Sequence, residues 1–474
     1  MRVNKNAFIL SMIYLTIVSI CSAFAFMSYS DEHSKLCQLG IIVLIELLIF
    51  IFFNTKINGR ALNYASIFCA VLFVFNFGQL MIYTFFRSIY PHVRFVNLMD
   101  GKAAIHGFRW MSLAFSMVCL GILAFGMKLD YSIANNDQNF VDNEEFVSLS
   151  KKVIGITFPV KLVIDVLCLF VSVTSGGTAA RLWMNRVPYV FVAYGKISLV
   201  GFALLLLALK DKPKSQRKVF NFIIFYILLM MVSGIRSENV GYLLVFIFLY
   251  FASQKKKIHI PSLLFYGVLG FLLLTFIITV GNFRSADKSF SSLISIFMDN
   301  ITKNNAIFSL MDTCGDTGYT TQEVINKWLP VYGATHGDSF YVGWISIIPN
   351  IPGIFTLPGD LTAKTCFALR LQSSGLLNSN YYNIGGSLLG ELFFNFGLSG
   401  GVIASLFVGF VIGWTSKKTT DYVAVNNFHG MIVLIPMMFA TIYWVRSYFG
   451  GEFRIIVWAP LLIYLIKQTR ESRK

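Results

Sequence analysis

The sequence predicts an all-α polytopic membrane protein with about 12 transmembrane helices, each needing ~20 apolar residues, folded as a single integral membrane domain over 1–474. Three observations predict it. Of 474 residues, 56% are hydrophobic and only 13% charged, a composition that belongs to multi-pass membrane proteins. Apolar runs recur along the chain without the alternation of strands, and in lipid only helices and closed barrels satisfy the backbone. Basic residues collect in every second connector, as the positive-inside bias requires.

The runs fall near 6–28, 37–53, 61–86, 107–127, 153–173, 188–209, 219–233, 240–252, 260–280, 384–414, 429–444 and 453–466. With the N-terminus inside, the inner segments are Met1–Lys5, Asn54–Arg60, Lys128–Lys152, Lys210–Lys218, Gln254–His259, Ser416–Asn427 and the tail from Lys467. They hold 21 of the 39 Lys and Arg. The longest connector, 281–383, holds six and is assigned to the outside as one large extracytoplasmic loop. Both termini are therefore expected in the cytoplasm. The net charge of +16 is accounted for by topology, and no basic face interleaved with aromatics points to nucleic acid.

In chain order, the first four spans carry one mid-span carboxylate, Glu46, expected to be paired within the bundle or protonated, because a lone charge at that depth is costly. The connector 87–109 is basic and faces outward. Lys161 and Asp165 lie four residues apart on one helical face and are expected to pair. The following outer connector carries Arg181 and Arg186. Between Lys218 and Lys255 the chain goes out and back so briefly that the turn around Arg236 and Glu238 reaches no further than the interface. A charged turn at that depth is a functional candidate, with an anchoring Arg236–Glu238 contact as the plainer alternative.

The loop 281–383 begins at Gly281-Asn-Phe-Arg-Ser, with Arg284, and contains Thr335-His-Gly-Asp338. Its aromatics, among them Trp328, Tyr332, Tyr341 and Trp344, offer faces on which sugars stack, although packing explains aromatics equally well. Cys314 and Cys366 both lie in it, and whether they pair is left open. The next run is long and glycine-rich. It is expected to form a shallow helix around 386–396 bearing Glu391, then a turn, then a true crossing from about Leu398, with Gly409 and Gly413 at helix-packing spacing. Arg446 and Arg454 bracket the last outer connector.

Arginine is enriched outside and lysine inside. The planar guanidinium suits bidentate phosphate contacts, so the outer arginines point to a phosphate-bearing ligand held at headgroup level. There is no Walker loop, no dinucleotide fingerprint and no zinc spacing. No cofactor and no metal is expected, and an enzyme here would draw its driving force from an activated substrate already in the membrane.

The layout, together with Gly234-Ile-Arg-Ser-Glu-Asn239, Gly281-Asn-Phe-Arg-Ser285 and the stretch from Gly386-Ser-Leu-Leu-Gly-Glu391 to Gly401, resembles the bacterial O-antigen or capsular polysaccharide repeat-unit polymerases of the Wzy type. The resemblance covers essentially the whole chain. It implies a GT-C-like multi-span glycosyltransferase of the bacterial inner membrane. Such an enzyme polymerises undecaprenyl-pyrophosphate-linked oligosaccharide repeat units, with inversion, at the outer face. It also implies a chain-length regulator and a flippase of the same pathway as partners. Carried over by position, Arg236 and Arg284, and more weakly Arg181 and Arg446, would hold the pyrophosphate. The acceptor hydroxyl needs a base, for which His336, Asp338, Asp287 and Glu391 are the candidates. An O-antigen ligase-type transferase shares the layout. A flippase or transporter is disfavoured because no internal repeat is visible.

Overall fold

The computed structural model describes residues 5–29, 31–60, 62–91, 93, 99–126, 143–175, 177–184, 186–232, 236–254, 275, 279, 294–299, 306–348, 366–376 and 385–471. Among these the protein is helical, with no strand. In order the helices are α1 (Lys5–Phe26), α2 (Glu32–Asn58), α3 (Tyr64–Phe85), α4 (Gly101–Phe125), α5 (Asn143–Ser175), α6 (Gly177–Met184), α7 (Tyr189–Ala208), α8 (Pro213–Val232) and α9 (Arg236–Ser253). After the long segment begins come α10 (Ala306–Glu323), which runs on through a π-helical turn, Val324–Trp328, to Tyr332, and the short α11 (Asp338–Ile345) and α12 (Phe367–Ser373). The chain closes with α13 (Leu388–Ala424), α14 (Phe428–Trp444) and α15 (Phe449–Glu471).

Among the described residues, eight helices (α1 to α5, α7, α13 and α15) are long and apolar enough to cross a membrane, and α9 and α14 are shorter apolar helices. This is the all-α polytopic architecture expected. The run near 219–233 corresponds to α8, while the run at 260–280 lies outside the described residues except for 275 and 279.

Helix ends follow local chemistry. The Asp31 carboxylate caps α2 by accepting from the Ser34 N–H at 2.8 Å, and that amide and the Ser34 hydroxyl hold its pKa below the usual carboxylate range. Asn63 caps α3 in the same way, accepting from Ser66 N–H at 2.9 Å; both satisfy orphan helix-start donors.

Glycines set the closest helix contacts. A Cβ on Gly409 of α13 would lie 2.1 Å from the Val118 carbonyl of α4, and one on Gly413 would lie 3.0 Å from that of Ile122. The expected Gly409/Gly413 packing face is thus the α4 contact, backbone against backbone. Similarly, a Cβ on Gly318 of α10 would lie 2.2 Å from the Asn76 carbonyl of α3.

This last contact changes the picture of the long segment. Residues 306–332 are a helix packed against α3 and the first turns of α4, with Asn326 Nδ2 donating to the Ala103 carbonyl at 2.9 Å. Its inner face is polar: Thr317, Thr320, Thr321, Gln322 and Glu323 are buried. Sequence alone treats this stretch as loop because its mean hydropathy is low.

Other expectations meet the structure directly. Lys161 and Asp165 form the anticipated ion pair at 2.9 Å. Glu46 is buried and accepts from the Ser112 hydroxyl of α4 at 3.3 Å. Arg236, expected in a turn, is the first residue of α9, and Glu238 turns to Lys196 at 2.7 Å. Cys314 and Cys366 are not joined in a disulfide, and burial pushes the Cys366 thiol up to about 11.

Candidate active site

The candidate site is built on the first nine residues of α13. Ser387 caps this helix, its Oγ accepting from Gly390 N–H at 3.3 Å. The same hydroxyl donates to Asn76 Oδ1 of α3 at 3.2 Å and meets Thr321 Oγ1 of α10 at 2.7 Å, so the helix start is pinned on two sides. Nine residues later the helix breaks at Gly397, φ 72° and ψ −172°, a region essentially reserved for glycine. The break falls at the turn expected from sequence. The helical piece 388–396 is therefore set off from the rest of α13.

Glu391 lies at the centre of this piece and is fully buried. Its Oε1 accepts from the Ser339 hydroxyl at 2.6 Å. Its Oε2 accepts from the Trp444 indole N–H at 2.6 Å and from the Phe449 amide at 2.7 Å. Three converging donors thus engage both oxygens of a buried carboxylate that would be costly to leave unpaired. One turn on, Asn395 Nδ2 donates to Ser339 Oγ at 2.8 Å and its Oδ1 accepts from Ser339 N–H at 3.2 Å. Thr335 completes the latch, its N–H donating to the Phe394 carbonyl at 3.0 Å. Residues 335–339 are thereby fastened to 391–395 through five named partners.

The latch presents two other candidates. His336 sits between Thr335 and Ser339 with φ 55°, left-handed backbone that is uncommon outside glycine, and it is exposed. Asp338 opens α11, half-exposed, and its Oδ2 pairs with Arg370 Nη1 at 3.2 Å. The Arg370 guanidinium is 5.2 Å from the Phe394 ring centroid and 5.8 Å from that of Trp328, within cation–π range. The structure thus brings His336, Asp338 and Glu391 to one helical piece.

The arginines are distributed around it. Arg446 lies in the corner 445–448 between α14 and α15, its guanidinium 5.6 Å from the Phe75 ring centroid. That corner is held against the start of α13: Leu388 N–H donates to the Val445 carbonyl at 3.4 Å, and a Cβ on Gly386 would lie 2.1 Å from the Ser447 carbonyl. Arg181 is on α6 and Arg236 begins α9. Both helices border a cavity of about 50 Å³ lined by Met184, Lys161, Asp165, Lys196, Glu238 and Asn239, room for about one or two waters. Arg284 and the further base candidate Asp287 lie outside the described residues.

Ser339, Asn395 and Trp444 were not singled out from sequence, and Arg370 figured there only as one of the outer arginines. Asn395 follows Glu391 by four residues, so one helical face carries both polar groups, and that signal was readable. Lys196 was readable too, as a cation inside an apolar run.

The fold and this site define a multi-pass membrane protein with a polar centre built where broken helix, corner and long segment meet. The chain belongs to the O-antigen polysaccharide polymerase Wzy family, whose model matches residues 8–470. It is accordingly a glycosyltransferase-type polymerase of polysaccharide biosynthesis acting on lipid-linked glycans in the membrane. No curated protein and no solved structure matches it.

Proposed function

We propose that the protein polymerises undecaprenyl-pyrophosphate-linked oligosaccharide repeat units into O-antigen or capsular polysaccharide at the outer face of the bacterial inner membrane, with both termini cytoplasmic and without a metal. The observation that carries this reading is the latch joining 335–339 to 391–395, which ties the turn bearing His336 and Asp338 to the pinned helical piece bearing Glu391.

In the reaction, the acceptor hydroxyl oxygen attacks the anomeric carbon of the donor glycan. The new glycosidic C–O bond forms as the bond from that carbon to the pyrophosphate oxygen breaks, with inversion. His336 takes the hydroxyl proton; an imidazole suits that task near neutral pH, and its exposed, left-handed turn leaves it accessible. Asp338, held by Arg370, orients the acceptor. Glu391, with both oxygens engaged, positions the turn that carries them. Arg236 and Arg284, with Arg181 and Arg446 in lesser roles, stabilise the charge developing on the departing pyrophosphate.

The test is the glycan profile of cells expressing Arg236→Ala, Arg284→Ala or His336→Ala at wild-type protein levels. Each variant is expected to leave single lipid-linked repeat units uncondensed. Normal polymer ladders in both arginine variants would overturn the pyrophosphate assignment, and a normal ladder in His336→Ala would remove the base.

A further inference from the structure

A second buried charge cluster lies beside the candidate site. Lys196, in the middle of apolar α7, is 7% exposed. Its Nζ donates to Glu238 Oε1 of α9 at 2.7 Å and to Glu452 Oε1 of α15. The Tyr242 hydroxyl donates to the same Glu238 oxygen at 2.6 Å. One ammonium therefore joins two helices.

Both helices lead into the site. Glu238 is two residues from Arg236 at the start of α9, and Glu452 is three residues from Phe449, whose amide donates to Glu391. The corner between α14 and α15 is consequently held from both sides. On one side are Glu391 and the start of α13. On the other are Lys196 and the Tyr189 hydroxyl of α7, which donates to the Gly451 carbonyl at 2.6 Å, with the Arg454 guanidinium 4.1 Å from the Tyr189 ring centroid.

Stability is a poor reason for such a cluster. Desolvating charges costs several kcal/mol per ion, and buried ionic groups replaced by apolar ones often leave a protein as stable or more so. A single carboxylate would also have balanced the lysine. What the second carboxylate adds is a fixed register between α9 and the corner.

We infer that Lys196 is a positioning residue, tying the Arg236 end of α9 to the 445–449 corner so that the pyrophosphate-binding and Glu391-latched halves of the site stay at a fixed separation. The inference rests on the proposed function, from which it takes those two halves.

The test uses the purified full-length protein in lipid nanodiscs, with undecaprenyl-pyrophosphate-linked repeat units as substrate. Glu452→Met cuts the tie to the corner while leaving Lys196 balanced by Glu238. It is expected to keep the wild-type melting temperature and to lose about a hundredfold in kcat, the scale that a misplacement of ~1 Å produces. Glu452→Gln, which keeps an acceptor for Lys196, is expected to recover most of that loss. Wild-type kcat in Glu452→Met would overturn the inference. If that variant does not fold, the all-neutral Lys196→Met/Glu238→Gln/Glu452→Gln protein gives the same reading: wild-type kcat overturns it, and reduced kcat at unchanged melting temperature supports it. Arg236→Ala, measured in parallel, separates the two levels. If it is inactive while Glu452→Met is not, only the role of Lys196 falls; if it retains wild-type kcat and KM, the reading of the site itself falls.

Discussion

The Trp444 indole donates to Glu391 across 2.6 Å, joining the last residue of α14 to the first turn of α13. This bond, with that of the Phe449 amide, makes a buried carboxylate the meeting point of three segments that are far apart in sequence. Removing the acceptor strands the donors around it, and each buried polar group left unpaired costs about 1–3 kcal/mol. Glu391→Ala is therefore expected to lower the melting temperature sharply in detergent. Glu391→Gln keeps one carbonyl oxygen for Trp444 and Phe449 while Ser339 turns to accept, and it is expected to fall between Ala and wild type. Equal melting temperatures for all three proteins would contradict the latch.

Asp338 and Arg370 should behave in the opposite way. Their side chains are 47% and 23% exposed, and pairs this open to solvent contribute about 0–1 kcal/mol. Asp338→Asn is expected to leave thermal stability almost unchanged while shortening or abolishing polymer. A large loss of stability would place this carboxylate in the scaffold.

Gly397 is a conformational requirement. Its φ of 72° with ψ −172° is strained for any residue with a Cβ by about 1–3 kcal/mol. Gly397→Ala should therefore shift the piece 388–396, reducing activity more than a Gly155→Ala control on α5, where an added Cβ meets nothing within 4 Å. Comparable activity in the two variants would show that the break has no bearing on the site.

Cys366 provides a chemical probe of burial. With its thiol raised to about 11 by desolvation, the thiolate that reacts is scarce at neutral pH. Because the folded value lies above that of a free cysteine, its contribution to stability is present below about pH 8.5 and is lost as pH climbs towards 11. Maleimide labelling of Cys366 in a variant lacking the other cysteines is expected to be slow at pH 7.5 and to accelerate in strongly alkaline buffer. Fast labelling at pH 7.5 would contradict the burial.

Most of the architecture was legible in the chain because lipid imposes one rule on every span. Apolar length alone located α1 to α5, α7 to α9 and α13 to α15, and glycine spacing marked a packing face on α13, though not its partner α4, and the break before Leu398. Residues 306–332 escaped that rule. Their helix, packed on α3 and α4, buries threonines, Gln322 and Glu323, so polarity reads as loop where packing makes core. At the site, His336, Asp338 and Glu391 were visible as residue types, but the latch that unites them runs through Ser339 and Asn395 and depends on tertiary register. Lys196 stood in plain view as a charge within an apolar run. Its partners, Glu238 and Glu452, lie 42 and 256 residues downstream, and no local pattern links them.

Condensation of lipid-linked repeat units by this chain is decided by the lipid-linked glycan profile of a strain from which the protein has been deleted. Single repeat units are expected to accumulate on the carrier lipid, an effect reversed by the wild-type chain and not by Arg236→Ala. Accumulation of finished lipid-linked polymer, as loss of a ligase-type transferase would give, would contradict it.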